Sequence, residues 1–112
     1  MSWLNDFLRN YYITQAPLLH LKDGTTLSVQ VGPGLYHTAR TGDDGKQLYT
    51  HVEVGYPTGP IPPSWMPYCE DKLAPNNTIY SFLPIELVHY FIASHGGVDY
   101  EKTLGDGDVM VE

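Results

Sequence analysis

The sequence predicts an α+β fold in two layers: an antiparallel sheet of three to five strands, with an N-terminal helix and a C-terminal helix packed on one face. Amphipathic helical patterns lie towards the two ends of the chain, at residues 2–12 and 84–95. Short segments between them alternate apolar and polar residues, as half-buried strands do. A chain of 112 residues has room for one core, so we expect a single domain over residues 1–98. Residues 99–112 are acidic and contain glycine, and we expect them to form a partly ordered tail.

The first predicted helix covers residues 2–12, with Ser2 as its N-terminal cap. Its apolar stripe comprises Trp3, Leu4, Phe7, Leu8 and Tyr11. A helix this short is only marginally stable alone, so the stripe has to pack on another element. Packing on the protein's own sheet is favoured over use as a partner-binding helix.

A β-hairpin is predicted over residues 18–31. The Asp23-Gly24 pair in its middle supplies the positive φ angles that a tight turn needs. In its second strand Leu27, Val29 and Val31 are expected to face the core, and Ser28 and Gln30 to face outward. A further strand at residues 35–39 is predicted to pair with the central strand across the turn at residues 42–45.

The central strand is predicted over residues 46–56, because its two faces differ in chemistry. The mostly apolar face carries Leu48, Thr50, Val52, Val54 and Tyr56. The other face carries Tyr49, His51 and Glu53, a phenol, an imidazole and a carboxylate on one side of the sheet. Pairing with residues 35–39 would bring His37 next to Tyr49.

A proline-rich segment follows at residues 55–77, where six of the nine prolines exclude a central strand. Pro63 is expected to open one helical turn over residues 64–71; the alternative is a polyproline-like loop. Long loops of this kind are often functional when they are ordered. A last strand at residues 78–83 precedes the helix at 84–95, which a Gly-Gly pair ends. The buried stripe of that helix is predicted to be Leu87, Val88, Phe91 and Ile92.

Charge and composition exclude several classes of function. The net charge is −7 and the six basic residues are scattered singly, which disfavours binding to nucleic acid or to anionic membranes. The chain has no apolar run near the roughly 20 residues that span a bilayer, and its start lacks the pattern of a signal peptide. Cys69 is the only cysteine, so no intrachain disulfide forms. We therefore expect a cytoplasmic protein of a reducing compartment.

The residue pattern gives only weak support for an enzyme. We predict neither catalytic residues nor a bound metal or cofactor. The candidate ligands for zinc or non-haem iron are His20, His37, His51 and Glu53, which would share the outer sheet face. The spacing of His51 and Glu53 is only that of strand alternation, so a solvated polar face is favoured over a metal site. Cys69 lies beside two carboxylates that disfavour a reactive thiolate.

The predicted ligand- or partner-binding surface combines the outer face of the central strand with the proline-rich segment. Its residues are Tyr36, His37, Arg40, Tyr49, His51, Glu53, Tyr56, Trp65 and Tyr68. Tyr and Trp are enriched at binding hot spots, but a small domain also needs its aromatic side chains in the core. For Trp65 and Tyr68, packing is slightly favoured over binding. Arg40 and Lys46 bracket the turn before the central strand and are candidates to hold an anion.

In its size, acidity and lack of a catalytic motif the chain resembles small accessory proteins of tailed bacteriophages and prophages. Many of those bind a host component, including defence proteins or their nucleotide signals. The resemblance therefore implies a non-enzymatic, anti-defence binding protein in the host cytoplasm, and it assigns no role to any residue. The partner would be a host protein, which the acidity favours, or a small nucleotide-like ligand held at a homo-oligomer interface. The alternatives are a small metal-dependent enzyme and a structural subunit of a viral particle.

Overall fold

A computed structural model of the chain describes residues 2–12, 14–33, 37–41 and 45–105. It confirms the α+β class, with an antiparallel sheet and helices towards both ends of the chain. In chain order the elements are α1 (Ser2–Arg9), β1 (Leu19–His20), β2 (Thr26–Gln30), β3 (Thr38–Thr41), β4 (Gln47–Gly55), a 3-10 helix (Pro63–Tyr68), β5 (Ile79–Pro84), α2 (Ile85–Ser94) and α3 (Tyr100–Leu104). The predicted hairpin is present, with Leu19 opposite Leu27.

Strand β4 is the centre of the sheet, as the sequence predicts, and every strand pair is antiparallel. Val54 pairs with both β2 and β5, so these two strands lie on opposite edges of β4. His51 pairs with both β3 and β5, which places β3 on the same edge as β2. Strands β2 and β3 therefore pair with different parts of the same edge of β4, and residues 31–37 connect them along the chain.

The core lies between the inner face of the sheet and the helices. The fully buried sheet residues are Leu19, Leu27, Val29, Val52, Val54, Tyr80 and Leu83. Helix α1 adds Leu4, Phe7 and Leu8, and α2 adds Val88, Phe91 and Ile92, as predicted. The other members of the two predicted stripes are only partly buried, namely Trp3, Tyr11 and Leu87. Burial of each Leu, Val or Ile side chain stabilises the fold by roughly 1.5–3 kcal/mol.

The structure corrects the predicted exposure of three residues. Tyr49, expected on an exposed face, is only 4% exposed, because α1 and the His37 ring cover it. Tyr56, expected in the core, is 55% exposed; it follows the end of β4 with φ +51, so strand alternation no longer orients it. Gln30 is buried because its carboxamide bonds both backbone groups of Ala16, at 2.8 and 3.0 Å.

Helix α1 docks on the edge of β4 through polar side chains as well as through its apolar stripe. Strand β5 pairs with β4 only as far as His51. In the part of β4 before His51, the backbone N of Tyr49 donates a hydrogen bond to Asn5 Oδ1 at 2.6 Å. One helical turn later, Arg9 Nε donates to the carbonyl of Gln47 at 2.7 Å. The two side chains satisfy backbone groups that a neighbouring strand would otherwise bond.

The proline-rich segment contains the single helical turn that Pro63 was expected to open. It is a 3-10 helix that ends at Tyr68 rather than at residue 71. Helix α2 ends at Ser94, one residue before the predicted end, and the predicted Gly-Gly stop follows it. Gly96 and Gly97 have φ angles of +90 and +94, and the Gly97 backbone N donates to the Ile92 carbonyl at 2.9 Å.

The beginning of the predicted tail is part of the folded domain. Residues 99–105 include helix α3, which the Asp99 side chain caps. Thr103 is 4% exposed, and its hydroxyl bonds the backbone N and carbonyl of His20 at 2.8 and 3.2 Å. A helix of five residues is too short to show an apolar periodicity, so the sequence pattern did not predict α3. Residues 106–112, the rest of the predicted tail, lie outside the described residues.

Candidate functional site: two adjoining grooves on the outer sheet face

Two grooves lie side by side on the outer face of the sheet and share Tyr12. The first, named here the aromatic–basic groove, is lined by Arg9, Tyr12, His37, Ala39, Lys46, Gln47 and Tyr49. The second, named the polar groove, lies over Ser28, Gln30, Glu53, Gly55 and Tyr56. Their volumes are about 520 Å³ and about 370 Å³. Both are within the range of roughly 300–1,000 Å³ that is usual for small-molecule sites.

Three rings line the aromatic–basic groove in succession. The centroids of Tyr12 and His37 are 5.9 Å apart, and those of His37 and Tyr49 are 5.8 Å apart. Both pairs are close to perpendicular, an arrangement that aromatic rings favour. The predicted proximity of His37 and Tyr49 is thus confirmed, although β3 begins one residue after His37. Because Tyr49 is buried, the ring surface open to a planar ligand belongs to Tyr12 and His37.

Two cationic side chains reach the same groove. Arg9 is held at its wall by the Gln47 carbonyl and by an ion pair with Asp6. A guanidinium has five N–H donors, so these two bonds leave donors for a ligand. Lys46 is exposed at the mouth of the groove. Two of the six basic residues of the chain therefore converge on one groove, in a protein whose net charge is −7.

The surroundings of Tyr49 raise the pKa of its phenol above the ordinary value of 10. Burial raises its pKa, the neighbouring Tyr12 raises it further, and Arg9 opposes both by lowering it. Because the net change is upward, the phenol remains neutral near pH 7. A neutral phenol can donate a hydrogen bond to an anionic ligand in the groove.

The polar groove is built around a glycine at the end of β4. Ser28, Gly55 and Ile79 lie directly opposite one another on three adjacent strands. A Cβ atom added to Gly55 would be 3.7 Å from the side chains of both neighbours, an ordinary contact, so the absent side chain is what opens the groove. Glu53 is the ionisable carboxylate at its wall, and among the described lining residues there is no Lys or Arg.

The predicted site residues on the sheet divide between the two grooves. His37 and Tyr49 line the aromatic–basic groove, whereas Glu53 and Tyr56 line the polar groove. His51 lines neither; its Nδ1 is 3.0 Å from the hydroxyl of the adjacent Thr50. The backbone of Arg40 pairs with Leu48 in the sheet. Tyr36 lies outside the described residues.

Trp65 does not belong to this surface. It is 1% exposed, and its ring packs against Tyr80 and Phe91 with centroid distances of 5.4 and 4.8 Å. Tyr68 is partly buried against the same core. Packing, the favoured alternative for both rings, is what the structure shows, and Trp65 offers no surface to a partner.

Tyr12 and Arg9 are the site residues that sequence reasoning missed. Arg9 follows Asn5 by one turn of α1, and that spacing is the only local signal that both side chains share a helix face. Tyr12 is 41% exposed and lies beyond α1, which ends at Arg9, whereas the sequence predicts a helix over residues 2–12. Their role depends on where α1 docks, which no local pattern specifies.

The histidines and Glu53 are not assembled as a ligand set. Within residues 2–12, 14–33, 37–41 and 45–105, no group of three or more His, Cys, Asp or Glu side chains is placed to hold a metal ion. The hypothetical site of His20, His37, His51 and Glu53 therefore has no geometric support in the described part of the chain.

Comparisons with protein-family models, with curated proteins and with solved structures found no match to this chain. None of the helices in the described ranges has the length and apolar character needed to cross a membrane. The chemistry of the site is therefore inferred from its geometry alone.

Proposed function

We propose that this protein is a non-enzymatic binding protein that captures a small, anionic, nucleotide-like ligand in the aromatic–basic groove. The observation that carries the proposal is the meeting of three rings with Arg9 and Lys46 in one groove. Rings stack on the π face of an aromatic ligand, and charge-assisted hydrogen bonds hold its phosphate.

The charge balance of the chain bears on the choice of partner. A net charge of −7 repels anions at long range and by itself favours a basic protein partner. Within about 10 Å, however, the nearest charges dominate, because salt screens the more distant ones. At the aromatic–basic groove those charges include Arg9, which Asp6 partly offsets, and Lys46, and the two cations support binding of a small anion.

The biological setting follows from the resemblance to accessory proteins of tailed bacteriophages. A protein of this kind would remove a nucleotide signal from the host cytoplasm by holding it, without chemical change. A high intracellular concentration of the protein would then substitute for catalytic turnover.

Phenyl phosphate is the simplest probe, because it combines one ring with one phosphate. We expect it to bind with a dissociation constant on the order of 1 mM, equivalent to about 4 kcal/mol. In a titration followed by amide chemical shifts, the largest changes should occur at His37, Lys46 and Tyr49. Lys46→Gln should weaken binding by about fivefold, because it removes roughly 1 kcal/mol of charge attraction.

Lys22→Gln is the matched control, since Lys22 is an exposed lysine at the hairpin turn and does not line the groove. Lys22→Gln changes the net charge by the same amount as Lys46→Gln and should leave the dissociation constant for phenyl phosphate unchanged. Equal weakening by both variants would mean that only overall charge matters. Absence of saturable binding to the unmodified protein would overturn the proposed function.

A further inference from the structure

The two grooves adjoin at Tyr12, which lines both, and we infer that they hold one ligand. We propose that the polar groove binds the ribose of a nucleotide whose base and phosphate occupy the aromatic–basic groove. This inference rests on the proposed function, because it extends the ligand held there from an aryl phosphate to a nucleotide.

The charges of the two grooves orient such a ligand. Arg9 and Lys46 attract the phosphate to the aromatic–basic groove. Glu53 repels it from the polar groove, whose described lining residues include neither lysine nor arginine. The polar groove is therefore suited to a neutral part of the ligand rather than to its phosphate.

The polar groups of the second groove suit vicinal hydroxyls. An ionised carboxylate has about four lone-pair sites, so Glu53 can accept bonds from two neighbouring hydroxyls while it keeps another partner. The Ser28 Oγ accepts a bond from Gln30 Nε2 at 2.8 Å, which leaves the Ser28 proton to be donated to the sugar. The Gln30 carboxamide is itself fixed by its two bonds to Ala16, so this side of the groove is preorganised.

Gly55 provides the space that a sugar ring needs. It does not have a positive φ, and a Cβ there makes only ordinary contacts. Gly55→Ala should therefore fold and narrow the groove, and Gly55→Val, with a residue type that strands favour, should fill it. Neither change touches the aromatic–basic groove, because Gly55 does not line it.

The test compares adenosine 5′-monophosphate with its 2′,3′-dideoxy analogue and with phenyl phosphate, in the unmodified protein, Gly55→Ala and Gly55→Val. We expect the ribonucleotide to bind about tenfold more tightly than the dideoxy analogue, the preference expected when about 1.4 kcal/mol of hydroxyl bonding is lost. The preference should fall in Gly55→Ala and disappear in Gly55→Val, while the affinity for phenyl phosphate stays unchanged.

The outcomes separate this inference from the proposed function. Equal binding of the two nucleotides to the unmodified protein, or a preference that survives in Gly55→Val, would overturn the ribose subsite and leave the proposed function intact. Failure of all three probes to bind would remove both. Loss of phenyl phosphate binding in a folded Gly55→Val protein would show that the grooves are not separate subsites.

Discussion

Trp65 and Tyr12 illustrate how position, rather than residue type, decides what an aromatic side chain does. Both belong to the types that are enriched at binding hot spots. Trp65 is 1% exposed between the sheet and α2, whereas Tyr12 is 41% exposed at the boundary of two grooves. The first stabilises the fold and the second is available to a ligand.

Trp65→Ala should destabilise the protein by about 3–5 kcal/mol, because a large buried ring is replaced by a cavity. Urea unfolding measures the loss. Tyr90→Ala is the matched control: Tyr90 is 74% exposed, and its loss should change the free energy of unfolding by no more than about 0.5 kcal/mol. A Trp65→Ala protein of full stability that no longer binds phenyl phosphate would contradict the core assignment and place Trp65 at the ligand.

At the scale of elements, the contact between α1 and β4 connects folding to the site. Asn5 and Arg9 bond the backbone of Tyr49 and Gln47 along the edge of β4. The same docking places Arg9 and the following Tyr12 beside His37. The aromatic–basic groove therefore exists only when α1 is docked.

Asn5→Ala tests this contact. It leaves the buried backbone N of Tyr49 without its acceptor, and an unsatisfied buried group costs about 1–3 kcal/mol. We expect that loss in urea unfolding, together with weaker binding of phenyl phosphate. Asn10→Ala makes the same substitution at an exposed position just after α1 and should have little effect on either measurement. Equal effects of the two substitutions would mean that the bond to Tyr49 is unimportant.

At the scale of the whole molecule, the turn of the first hairpin is joined to the end of α2 and the start of α3. Asp23 Oδ2 lies 2.6 Å from His95 Nδ1, and the Lys22 backbone N donates to the Gly97 carbonyl at 3.0 Å. The Asp99 backbone N donates to the His20 carbonyl at 2.8 Å. These bonds join the first hairpin to segments more than 70 residues later in the chain.

The Asp23 carboxylate makes this junction sensitive to acid. Its bond from the Thr25 backbone N, and then its contact with His95, lower the pKa of Asp23 to about 2, against an ordinary value of 3.8. Since the folded pKa is the lower one, the stabilisation is complete above about pH 4 and is lost as the pH falls from 4 towards 2. Urea unfolding across this range should therefore show a steeper decline in the parent protein than in Asp23→Asn, which retains a side-chain oxygen for the Thr25 bond. Identical slopes would show that Asp23 does not contribute.

Much of the architecture could be predicted because the relevant signals are local. The alternation of Val52 and Val54 and the Asp23-Gly24 turn depend on residues within a few positions of each other. The α3 helix could not be predicted, because its stability comes from Thr103 bonding to His20 across 83 residues of chain. Tyr49 was assigned to the correct face, but its burial depends on α1.

The sequence by itself determined the two-faced central strand, the hairpin, the proline-opened turn and the two main helices, because backbone periodicity and turn chemistry act between near neighbours. Only the tertiary structure decided that a groove exists, since its walls come from α1, from His37 and from β4, and Arg9 meets Gln47 across 38 residues. Such contacts depend on how faces pack, and packing is a property of the assembled core. That is why Tyr12 and Arg9 became candidate ligand contacts only after the fold was known.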